Sequence, residues 1–127
     1  MKKIVLAILG LSLLVELILS FVCIFSPTLA LKIFKIEATP QTIFLGYIIG
    51  WLCLFVSSII VLAIYYLKNN EKTSFNLIYC LGLFWVLLGF GVYFSFNKLD
   101  NLILDTSKSF LLILFTYRYQ QKLKNEN

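Results

Sequence analysis

Residues 4–25 read IVLAILGLSLLVELILSFVCIF, 22 positions interrupted by one ionisable side chain, Glu16. A helix rises ~1.5 Å per residue, so about 20 apolar residues cross the hydrocarbon of a bilayer. The stretch is long enough to do so. Glu16 then falls near mid-membrane, where a charge costs at least ~2.5 kcal/mol on the most lenient insertion scale. It must be neutral, paired or turned toward water.

Three more apolar runs follow, at residues 41–67, 75–96 and 101–119. The whole chain has 127 residues, of which 61% are hydrophobic and 13% charged, and its mean hydropathy is +0.93. A soluble domain carries roughly 25% charged residues, so this composition could not coat a water-facing surface. The expected fold is an all-α membrane protein, a four-transmembrane-helix bundle. Four spans use most of the length, so residues 1–127 form a single transmembrane domain. Lys2 and Lys3 ahead of an apolar run also suit a signal peptide, and Thr28-Leu29-Ala30 would pass as its cleavage site. The run is longer than the usual ~7–15 residues, which favours a retained helix.

The turns between spans carry their own signals. Ser26-Pro27 sets a capping residue before Pro at a first helical position, and Thr39-Pro40 repeats it. Between them, residues 28–36 place Lys32 and Lys35 among Leu29, Leu31, Ile33, Phe34 and Ile36. That pattern predicts a short interfacial amphipathic helix between the first two spans. Ser74 is placed to cap the third span. The polar residues 120–127 read as a poorly ordered tail.

The net charge of +5 does not point to nucleic acid, because the cations, apart from Lys108 inside the fourth run, sit at the ends of apolar runs. Lys2, Lys3, Lys68, Lys72, Arg118, Lys122 and Lys124 fall on one side. Lys32, Lys35 and Lys98 fall on the other. The positive-inside bias therefore puts both termini in the cytoplasm of a multi-pass inner-membrane protein.

Small residues mark close contacts. Gly46, Gly50, Cys53 and Ser57 form one stripe at i, i+4, i+7 and i+11. Gly82 and Gly89 give the third span a second such face. Packing within the chain is the expected use, and self-association through Gly46-xxx-Gly50 is the alternative. Cys23, Cys53 and Cys80 lack CxxC spacing, and there is no His. No metal site is expected, and the thiols read as buried packing residues.

Polar side chains within the spans are the site candidates. Ser12, Glu16, Ser20 and Cys23 form a stripe on the first helix. Asp105, Lys108 and Ser109 share a face of the fourth. Glu16, Asp105 and Lys108, with Ser12 and Ser20, are the ligand-binding or proton-carrying candidates; a polar lock that fixes helix register is the structural alternative. No GxSxG, HExxH or phosphate-binding Gly loop occurs, and no catalytic residue is assigned.

Phe25-Ser26-Pro27, the amphipathic segment after it, Pro40, and Asp105 leading into residues 110–115 together resemble the DoxX-like group of small bacterial membrane proteins. Lys35 stands where such proteins often have Gly, and Leu45 where an Arg often precedes the first Gly of the second span. The resemblance implies a four-helix bundle, and some members are linked to quinone-coupled oxidation of sulfur compounds. Three readings follow. The first is a binding or accessory component whose partners are the bilayer and another membrane protein or a second copy of itself. The second is a membrane enzyme or electron-transfer partner that binds a quinone-like or sterol-like molecule, with a quinone-like ligand as its candidate cofactor. The third is a small proton-coupled transporter.

Overall fold

The computed structural model describes residues 1–126, and all regular structure in them is helical. Five helices run in order: α1 Lys2–Phe25, α2 Pro27–Ile33, α3 Pro40–Lys68, α4 Thr73–Phe96 and α5 Leu99–Glu126. Three of them, α1, α3 and α4, are long and apolar enough to cross a membrane. The surface has the matching polarity. Leu11, Phe25, Phe94 and Leu104 are exposed, whereas Ser12, Ser20, Ser57, Ser109 and Thr116 are buried. Exposed apolar side chains and buried hydroxyls suit a lipid solvent and small-residue helix contacts.

Several boundaries differ from the sequence expectation. The short helix starts at Pro27 and stops at Ile33 rather than spanning residues 28–36. It stops because Lys35 takes a left-handed conformation, with φ 55°. The Ile36 amide then donates to Leu31 O at 2.8 Å and the Lys35 amide to Lys32 O at 3.1 Å, the paired bonds of a Schellman turn. Ser26 makes no side-chain cap.

Of the segment expected to be a loose tail, residues 120–126 are helical, and Asn127 lies outside the described residues. Gln120 bonds back to Tyr79 on α4 at 3.0 Å, so the helix is tied down past its apolar part. Ser74 is not the cap of α4, since Lys72 holds that position. The Ser74 hydroxyl instead donates to Glu71 O at 2.7 Å. Cys80 is exposed while Cys23 and Cys53 are buried, so only two of the three thiols fill the interior.

The start of α3 is capped reciprocally. Thr39 N–H donates to Thr42 Oγ1 at 2.7 Å, and Thr42 N–H donates to Thr39 Oγ1 at 3.2 Å. This is capping-box geometry with Thr in the place of the usual Glu, and Pro40 lies at the first helical position.

The chain divides into two compact units, one of residues 11–59 and the other of residues 1–10 with 60–126. In the first, α1 and α3 approach at Gly50. A Cβ there would stand 2.9 Å from Cys23 Cβ and 3.2 Å from the Ile24 amide. Ser20 Oγ donates to Gly50 O at 2.8 Å in the same contact. Gly46 faces Pro27, 3.4 Å from its Cβ. The small-residue stripe of α3 is thus occupied inside the chain at both glycines.

In the second unit, α4 and α5 form an antiparallel pair. Asn97 turns the chain with φ 53°, and its amide donates to Tyr93 O at 2.7 Å. The pair stays in contact from Phe75 against Tyr119 to Gly89 against Leu102 and Asp105. Midway, Ser109 Oγ donates to Gly82 O at 2.6 Å. At the opposite end of this unit, the Lys2 ammonium donates to Lys68 O at 3.0 Å and to Asn70 Oδ1 at 2.6 Å. That closes the α3–α4 turn, where Asn70 is the left-handed residue, φ 58°.

Candidate functional site

The candidates fall in both units. Ser12, Glu16 and Ser20 lie in the first and are all buried. They recur on the buried face of α1 because their spacing follows the helical repeat. The Ser20 hydroxyl donates to Gly50 O, so its proton is engaged in the α1–α3 contact while its lone pairs can still accept.

Asp105 and Lys108 lie in the second unit and come together. Lys108 Nζ is 3.5 Å from Asp105 Oδ1, and the two side chains are 24% and 21% exposed. The same ammonium stands 4.0 Å from the centre of the Trp85 ring. Trp85 is fully buried, so the ring presents a fixed π face to the cation. Such contacts strengthen when desolvated. The carboxylate, ammonium and indole form one group across the α4–α5 contact.

Glycine makes the group sterically possible. At Gly89 an added Cβ would lie 3.2 Å from Asp105 Cβ. At Gly82 it would meet Ile113 at 2.8 Å and Ser109 Oγ at 3.3 Å. The two glycines flank Trp85 at i−3 and i+4, so all three share one face of α4. Trp85 was not a sequence candidate. Its place between two glycines spaced for helix contact is the signal that marks it.

Farther along α5, Thr116 is fully buried. Its hydroxyl, like that of Thr106, has no hydrogen-bond partner among the described residues. The packed side of α5 is therefore polar along much of its length: Asp105, Thr106, Lys108, Ser109 and Thr116 are half-buried or buried. No group of three or more His, Cys, Asp or Glu is placed to hold a metal ion among the described residues. No family model matches the chain, and neither a curated protein nor a solved structure matches it.

Proposed function

We propose that this is a four-span inner-membrane protein, with α5 as its fourth crossing, and that it serves as a binding or accessory component through the Asp105–Lys108–Trp85 group. The observation that carries the reading is the exposure of the ion pair. Lys108 lies nine residues past Leu99, a rise of about 14 Å along the helix. At that depth a crossing helix is inside the hydrocarbon. A charged pair with about a fifth to a quarter of its surface open is costly against lipid chains. A polar group brought by another membrane protein offsets that cost, and the pair gives it both a donor and an acceptor.

The reading of α5 as a span is supported by where its side chains point. Leu99, Ile103, Leu104, Phe110, Leu111 and Tyr117 are its exposed large apolar residues, while between residues 101 and 117 every polar residue except Ser107 is half-buried or buried. Four crossings return the C-terminus to the side of the N-terminus. Lys2, Lys3, Lys122 and Lys124 then share one membrane face, the cytoplasmic one under the positive-inside bias. Kinship with the DoxX-like group belongs to the same proposal. It is supported by the left-handed Lys35, because a position with φ 55° is one that glycine fills at least cost.

Affinity purification in mild detergent, with mass spectrometry of both proteins and lipids, tests the role. The wild-type chain should retain one stoichiometric membrane protein, and Lys108→Met should lose it while still folding. Purification of the wild type alone, or with a quinone-like molecule in place of a protein, would overturn this reading in favour of the ligand-binding one.

A further inference from the structure

A separate feature lies in the unit of residues 11–59. Val15, Ile18, Leu19 and Val22 of α1, with Ala30, Ile33 and Phe34 in and just after α2, line an apolar groove of about 260 Å³. It is just below the ~300 Å³ at which sites for whole small molecules begin. Its walls present almost no polar group, so nothing in it could orient a hydrogen-bonding ligand. Val15, Ile18 and Ile33 are exposed, which opens the groove along the outer surface of α1.

The faces of α2 add a direction to the groove. Successive residues turn by about 100°. Pro27, Ala30 and Leu31 make the buried arc, Leu29 and Ile33 an exposed apolar arc, and Thr28 and Lys32 an exposed polar arc beyond it. Lys32 is one step from Ile33, on the side away from Ala30. Residues 27–39 carry Lys32, Lys35 and Glu37, a local net charge of +1. The groove thus passes from an apolar trough to a cationic edge within one helical turn. An amphiphile with an apolar chain and an anionic head has the same order of groups.

We infer that the α1–α2 groove holds one acyl chain of an anionic phospholipid whose phosphate lies at Lys32. The chain fills the trough left between the two helices, and α2 lies across it at headgroup level. A cation at a membrane surface contributes about a fivefold preference for anionic over neutral lipid.

Native mass spectrometry of the full chain in detergent tests this, with phosphatidylglycerol and phosphatidylcholine of identical acyl chains. The wild type should retain one phosphatidylglycerol about fivefold more than phosphatidylcholine. Lys32→Gln should bring the two lipids level while keeping an adduct. Ile18→Trp and Ile33→Trp, which fill the groove from exposed positions, should remove the adduct for both lipids. Leu87→Trp, on the exposed face of α4, should leave it intact. Equal retention of the two lipids by the wild type would overturn the assignment. So would an unchanged adduct in both groove variants, or an equal loss in Leu87→Trp.

Discussion

Lys35 holds φ 55° in a conformation that costs an L residue roughly 1–2 kcal/mol and costs glycine almost nothing. Replacing it changes two things, the backbone preference and whatever its side chain touches. Lys35→Ala removes only the side chain, while Lys35→Gly also relieves the backbone. The glycine variant should therefore unfold later than the alanine variant by about 1 kcal/mol, read by thermal denaturation in one detergent. Equal melting would mean that α2 ends for another reason. Glycines already in helices give a sharper test, because two of them should respond with opposite signs. At Gly50 an added Cβ would meet Ile24 Cγ1, Cys23 Cβ and the Ile24 amide, and of these only the Ile24 side chain can rotate away. Gly50→Ala should destabilise by ~1–3 kcal/mol. Gly91 is exposed with nothing within 4 Å of an added Cβ, so Gly91→Ala should stabilise by roughly 0.5–1 kcal/mol. Destabilisation of similar size at both positions would count against the α1–α3 contact.

At the scale of elements, α5 is the helix that hydropathy reads least well. Its first half places Asp105, Thr106, Ser107, Lys108 and Ser109 in a row, and a sliding average sees only their polarity. The average cannot see that most of them turn toward packed surface while Leu104 and Phe110 turn out. The helical period was legible in the shared face of Asp105, Lys108 and Ser109. The indole that meets Lys108 was not, since Trp85 lies in another helix and only the fold brings it near. The extension of α5 to Glu126 was hidden too, because residues 120–126 are polar apart from Leu123, and the bond that ties Gln120 to Tyr79 reaches across to another helix. The α4–α5 contact itself makes two predictions. Ser109→Ala, which removes the bond to Gly82 O, should cost about 0.6 kcal/mol, the usual size for such bonds between membrane helices. For the ion pair, Lys108→Met leaves the Asp105 carboxylate without its ammonium. That variant should be less stable than Lys108→Met combined with Asp105→Leu, which leaves neither charge. A double-mutant cycle on detergent-solubilised protein measures the coupling, and strictly additive effects would show the 3.5 Å pair to be energetically idle.

At the scale of the whole molecule, the three apolar spans were readable because each is a long run with at most one ionisable side chain in its interior, Glu16 in the first. The fourth crossing has to be argued from packing. Phe75 meets Tyr119 and Gly89 meets Leu102, so α5 accompanies α4 antiparallel for 14 residues, about 21 Å of axial rise. A helix lying flat on the membrane could not stay against a spanning partner for that distance. That contact is what supports the proposed fourth crossing, α5 beside α4, and with it the proposed even number of spans. The prediction is a labelling pattern. Reporters fused after Asn70 and after Asn125 should be cytoplasmic, and those after Lys35 and Asn97 periplasmic. The decisive position is Asn125, because a chain with only three crossings would place it with Asn97. A reporter there that behaves like the one at Asn97 would remove α5 from the membrane. It would also put Lys108 in water, where its exposure carries no cost and the binding role loses its physical basis.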